Sequence, residues 1–254
     1  MPDIAYWKEG KGKPLVLLPG FCETKEMWKS FVLPLLGKYE IWCPDLPGFG
    51  ESRLPEDAFS LVTIANDLAD WMLENNIGEA AIIGHSLGGY LALEMANLPK
   101  LDPGGLGLFH STAYTDSPDK KNTRDKTVAF VKKHGVQTFI LSSLPLLFSP
   151  ENRERCKPDI DSLIHFASQI PSESIIGYTL AMRDRRKNMD TLLAFQKPAL
   201  MICGIEDTAV PLADSLDHKD AVGHFLQLDH CGHMGMFEQR QKSLEAIQAF
   251  MNSV

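Results

Sequence analysis

The stretch "IIGHSLGGY" from Ile82 to Tyr90 places Ser86 between glycines two residues before it and two after. A serine on such a turn is a candidate nucleophile. A chain of this composition carries a G-x-S-x-G about 0.09 times by chance, so the motif alone decides nothing. Its surroundings add more. The apolar run "AAIIG" precedes it and a helical pattern follows it. A sharp strand-to-helix turn forces the serine into a strained backbone conformation and lifts its Oγ above the strand ends. Side chains at positions 84 and 88 would collide with the neighbouring strand and helix. The free N–H groups of a helix N-terminus favour a developing negative charge there. The same residues also fit a serine that merely caps the helix.

A serine hydroxyl is a weak nucleophile and needs a base. The chain has eight histidines. His233, in "LDHCGHMGMFE", follows an apolar run and precedes the last helical pattern, and Gly232 lets the chain bend beside it. His230 is its rival. His85 adjoins the serine but points elsewhere from such a turn, and His110 ends a strand-like run and can line the site. His134, His165, His218 and His224 read as solvated residues. A carboxylate must orient the base and stabilise the imidazolium. Asp207, in "LMICGIEDTAVP", stands after another strand-like run, with Glu206 and Asp116 as weaker alternatives.

All three positions need one rim, and the elements supply it. Short apolar runs at 14–20, 39–45, 80–84, 105–110, 199–204 and 224–229 read as strands buried on both faces. Ile4–Trp7 reads as an antiparallel edge strand. Between them lie helical patterns, one with Ser60 as N-cap and an Ile64, Leu68, Trp71 and Met72 face, one after Ser86 with Leu91, Met95 and Leu98 on one side, and one with Leu244, Ile247 and Met251. The alternation predicts an α/β domain over 1–254, a doubly wound, mostly parallel sheet of about seven or eight strands. Right-handed crossovers then put the strand C-termini, and the three residues, on one edge. From 114 to 195 the alternation stops and the pattern is helical, which predicts a cap inserted between core strands. Tyr114, Phe139, Leu144, Phe148 and Met182 are its expected substrate-facing walls. The arginines at 183, 185 and 186, with Lys187, read as a solvated helix end.

Composition narrows the function. With 44% apolar and 23% charged residues the chain can build a globular core. A net charge of −8 and no basic block argue against a nucleic-acid partner. The charge is uneven: Asp116–Asp190 carries 13 basic and 10 acidic residues, against 12 and 23 elsewhere. Five widely spaced cysteines without C-x-x-C fit reduced thiols of a cytoplasmic protein. The N-terminus shows no signal-peptide pattern, and no apolar run is long enough for membrane insertion. No metal-ligand spacing and no dinucleotide fingerprint stand out, so no cofactor is expected. Cys22 reads as a small buried hydrophobe.

Taken together, the chain resembles the α/β-hydrolase fold superfamily. "GHSLGG" is similar to its nucleophile elbow, "DLPGFGES" to an early turn, "GIEDTAVP" to its acid loop and "DHCGHMGMFE" to its histidine loop. The order Ser86, Asp207, His233 is the family's order. The resemblance implies a catalytic triad of those residues and an oxyanion hole from the backbone N–H groups of Phe21 and Leu87. Pro19–Gly20 stands where many relatives have His-Gly, which leaves the hydrogen bonding of that loop open. The implied function is a serine esterase acting on a small ester, without metal or cofactor. Thioester hydrolysis, C–C bond hydrolysis, peracid formation and a ligand-sensing receptor are the alternatives. Dehalogenase and epoxide hydrolase relatives carry Asp where this chain has Ser86.

Overall fold

The computed structural model describes residues 3–54 and 59–254. Seven strands form one sheet: β1 (Tyr6–Gly10), β2 (Lys13–Leu18), β3 (Tyr39–Pro44), β4 (Ala81–His85), β5 (Leu106–Phe109), β6 (Ala199–Gly204) and β7 (His224–Leu228). Their order is β1-β3-β2-β4-β5-β6-β7. Only β1 is antiparallel, paired with β3, as its edge position predicts. Every residue of β4, β5 and β6 is buried, which explains their near-continuous apolar runs. The outer strand β7 is only half-buried.

The chain steps outward from β2 to β3, then crosses back to place β4 on the other side of β2. This reversal opens a crevice between the C-terminal ends of β2 and β4. Register carries the strand ends to one edge: Leu18 faces Gly84, Gly84 faces Leu108, and Gly204 faces Leu228. The loops after β2, β4, β5, β6 and β7 therefore emerge together.

Helix α1 (Leu61–Glu74) starts where Ser60 Oγ accepts the Thr63 N–H at 3.1 Å, and it buries the predicted Ile64, Leu68, Trp71 and Met72 face. It stops at Asn76, which turns left-handed (φ 57°) while Ile77 N–H donates to Met72 O. Helix α2 (Leu87–Ala96) departs from a one-sided pattern. It is buried all round from Leu87 to Met95, because it touches the sheet, α1 and a later helix at once.

Between β5 and β6 the chain is wholly helical: α3 (Pro118–His134), α4 (Val136–Ser143), α5 (Lys157–Ala167), α6 (Ser172–Arg183) and α7 (Met189–Ala194). Ion pairs on two buried carboxylates fasten both ends of this insert. Asp116 accepts Arg124 Nε at 3.0 Å and Arg185 Nη1 at 2.6 Å. Glu94 of α2 accepts Arg186 Nε at 3.0 Å and Asn188 Nδ2 at 2.7 Å. The expected solvated end at 183–187 holds for Arg186 and Lys187, which are exposed, and fails for Arg185, which is buried on Asp116 and lies over the Tyr90 ring. Beyond β6 lie α8 (Leu212–Asp217), α9 (Gly235–Glu238) and α10 (Arg240–Met251), the last burying Leu244, Ile247 and Met251 as expected. Among the described residues no helix is long and apolar enough to cross a membrane. All five cysteines are free thiols and buried.

Candidate active site

Ser86 stands between β4 and α2 with φ 49° and ψ −113°. That conformation is costly for a residue with a Cβ, and it persists because the neighbours hold it. Ser86 N–H donates to Phe109 O at 2.9 Å, and Ser86 O accepts Ser111 Oγ at 2.8 Å. A Cβ at Gly84 would lie 2.1 Å from the Gly88 carbonyl carbon, and one at Gly88 would lie 2.6 Å from Leu18 O. Both glycines are thus required by close backbone approach. The Ser86 side chain makes no capping bond to α2, so the capping alternative drops out.

Asp207, after β6, is buried and accepts four hydrogen bonds. Its Oδ1 takes the Ala209 and Val210 N–H groups at 2.8 and 2.9 Å. Its Oδ2 takes His233 Nδ1 at 2.7 Å and His110 Nδ1 at 3.1 Å. Burial alone would raise its pKa, but the fields and hydrogen bonds of the two histidines outweigh it and hold the carboxyl well below its usual range. His110 is pushed down to about 4 by burial, so its ring is neutral near pH 7. Its Nε2 accepts the Gly235 N–H at 3.1 Å, which places its proton on Nδ1, pointing at Asp207.

Among the described residues the fold also gathers two groups of metal-ligating residue types that sequence spacing does not reveal. His110, Asp207 and His233 lie with ligand atoms within 4.8 Å, as do Glu151, Glu206 and His230. In the first group His110 Nδ1 carries a proton and donates to the carboxylate, so the three side chains are tied to one another by hydrogen bonds. In the second, exposed group His230 Nδ1 meets Glu151 Oε1 at 2.8 Å, and Ser149 Oγ donates to Glu206 Oε2 at 2.6 Å.

A cleft of about 510 Å³ opens at this rim, lined by Phe21, Ser86, Tyr90, Leu147, Met182 and His233, with Lys120 and Arg124 among its other walls. Ser86 and His233 share it; His230 and Glu206 are exposed elsewhere, and Asp116 is committed to arginines. Of the expected walls only Met182 lines this cleft. Phe139 packs on Phe21 with ring centres 6.3 Å apart. Phe148 and Leu144 are buried, Phe148 against Phe237, and Tyr114 lies over His218. His218 corrects another expectation: it is fully buried, accepting the Ala113 N–H at 2.9 Å on Nε2 and donating from Nδ1 to Asp214 O. Cys22 is buried as expected. Among the described residues, the Phe21 and Leu87 N–H groups donate to no protein acceptor.

Glu23 and Glu238 escape a reading of the sequence, and so does the partner of His85, which points away from the cleft as expected. Glu23 and His85 form a pair behind the elbow, with His85 Nδ1 2.8 Å from Glu23 Oε2. Glu238 accepts the Gly232 N–H at 3.0 Å and the Met234 N–H at 3.1 Å, one on each side of His233, and the Ser149 N–H of the insert at 2.8 Å. Glu238 closes the quoted histidine-loop motif, and that is the only signal it left.

The sheet, its reversal and the turn that carries Ser86 define the class: an α/β hydrolase. A family comparison agrees, matching residues 15–246, and the chain belongs to the alpha/beta hydrolase family. A pimeloyl-[acyl-carrier protein] methyl ester esterase of Aeromonas hydrophila is 26% identical over 265 residues, covering 98% of this chain and 99% of its own. Among solved structures, a thermophilic esterase from Thermogutta terrifontis superposes with a TM-score of 0.91 at 26% identity, over 99% of this chain and 93% of its own. The enol-lactonase from Burkholderia xenovorans shares the fold at a TM-score of 0.90 and 19% identity, over 99% of this chain and 97% of its own.

Proposed function

We propose that this chain is a serine hydrolase that cleaves carboxylic esters of small, largely apolar substrates through an acyl-enzyme. The observation that carries the reading is one cleft shared by the strained Ser86 and by His233, whose Nδ1 is tied to buried Asp207. His233 Nε2 takes the Ser86 proton as Oγ attacks the ester carbonyl carbon. The Phe21 and Leu87 N–H groups hold the oxyanion, each worth about 10²–10³ in rate. The intermediate collapses, the C–O bond to the alcohol breaks, and His233 returns its proton to the leaving oxygen. Water then attacks the acyl carbon, giving a proton to His233, and Ser86 leaves with that proton. Asp207 stays ionised throughout and stabilises the imidazolium.

The relatives named as esterases support the same bond type. In this reading residues 114–195 form a cap over the cleft, and the buried free thiols suit a cytoplasmic protein. The test is Ser86→Ala on a short p-nitrophenyl ester, with turnover expected to fall to background. Wild-type turnover in that variant overturns the assignment. A fluorophosphonate probe separates the histidines: His233→Ala loses labelling and His230→Ala keeps it.

A further inference from the structure

The Glu23–His85 pair is buried on both sides, with exposures of 4% and 0%. His85 Nε2 lies 2.9 Å from the His233 carbonyl oxygen. A carbonyl only accepts, so Nε2 carries a proton. Nδ1 faces Glu23 Oε2, which also accepts the Gly20 N–H. Both ring nitrogens therefore donate, and the ring is an imidazolium held against a carboxylate. Burial opposes that charge, yet Glu23 prevails and raises the His85 pKa above its ordinary value.

Glu23 grips the loop after β2 a second time through its backbone, donating its N–H to Gly20 O at 3.3 Å. The peptide joining Gly20 to Phe21 is trans, so its C=O and N–H point in opposite directions. Turning Gly20 O toward Glu23 turns the Phe21 N–H away, and Phe21 lines the cleft. Gly20 makes room for the pair: a Cβ there would lie 2.6 Å from Glu23 Oε2 and 2.8 Å from His85 Nδ1. The loops after β2 and β7 and the end of β4 thus meet on one ion pair.

We propose that Glu23 and His85 are positioning residues, a buried ionic clamp that fixes the Phe21 N–H and the His233 backbone relative to Ser86. Glu23 also borders the cleft, but its Oε2 is taken by the Gly20 N–H and by His85 Nδ1, so the pair holds position and is assigned no proton transfer. The clamp rests on the serine-hydrolase reading above.

The test uses Glu23→Gln, His85→Gln and the double variant, with kcat and KM for a short ester and the affinity for a phenylboronic acid, which forms a tetrahedral adduct on a serine. Each single variant lowers kcat about tenfold to a hundredfold, below the full loss of an oxyanion donor, with KM within about threefold. Boronate affinity falls by the same factor as kcat. The double variant is no worse than the poorer single one, because both act through one pair. It leaves no buried charge, so it remains measurable where a single variant misfolds. Wild-type kcat in the double variant overturns the clamp, and so does a lowered kcat with unchanged boronate affinity. If Ser86→Ala is inactive while these variants are normal, only the clamp falls. If Ser86→Ala stays active, the serine-hydrolase reading falls with it.

Discussion

Two histidine–carboxylate pairs flank Ser86, and they have opposite fates. His233 gives one ring nitrogen to Asp207 and lines the cleft. His85 gives both nitrogens away, one to Glu23 and one to the His233 carbonyl, and is fully buried. The rings stand only 4.9 Å apart. A histidine can exchange protons with a substrate only when one nitrogen is left over and faces it. On the proposed reading the first pair does chemistry and the second holds shape. His110 makes a third case, neutral and fixed in one tautomer, steadying Asp207 from behind.

The sharpest way to break the comparison is Asp207→Asn. The amide reverses the tautomer preference of His233, and kcat should fall by about 10⁴ with KM little changed, as in triad enzymes generally. Steady-state kinetics that show less than tenfold loss would remove Asp207 from its role.

A smaller effect separates the buried histidines by pH. Native His110 titrates near 4 and the unfolded chain near 6.5, so the unfolded state binds more protons between those values. Stability contributed by neutral His110 is lost as pH falls from 6.5 to 4, by on the order of 3 kcal/mol. His85 has the opposite sign: its raised pKa gives stability that is complete below 6.5 and is lost as pH rises through the folded value. Asn at 110 keeps an N–H donor for Asp207 and does not titrate. Urea unfolding at several pH values should show a shallower acid loss in His110→Asn. Parallel curves for the two proteins would contradict the neutral His110.

The smallest expected effect is Glu238→Gln. Its amide group must face N–H donors on one side, costing about 1–3 kcal/mol of stability. The histidine loop loosens, and kcat should drop more than KM rises. Unchanged melting temperature and kcat would show that Gly232 and Met234 need no carboxylate between them.

The inner strands were legible because burial on both faces writes a continuous apolar run, and each falls within two residues of its prediction; the exposed edge strand, read as Ile4–Trp7, lies at Tyr6–Gly10. Ser86, Asp207 and His233 were legible because each follows such a run. The contact between Glu23 and His85 was not, since 62 residues separate them and no local pattern encodes it. The walls of the cleft were misread for a related reason. Helices of the insert turn their faces according to what they pack on, and Phe148 and Leu144 found core rather than cleft.

The sequence by itself determined the sheet, the helical interruption and the order of the three site residues, because local periodicity and turn chemistry are written residue by residue. Only the tertiary structure decided which histidine keeps a free nitrogen, which carboxylate sits between two imidazoles and which side chains face the cleft. Those outcomes depend on loops from different strands meeting at one edge. There, burial and hydrogen-bond partners, which no spacing encodes, set the charge and direction of each group.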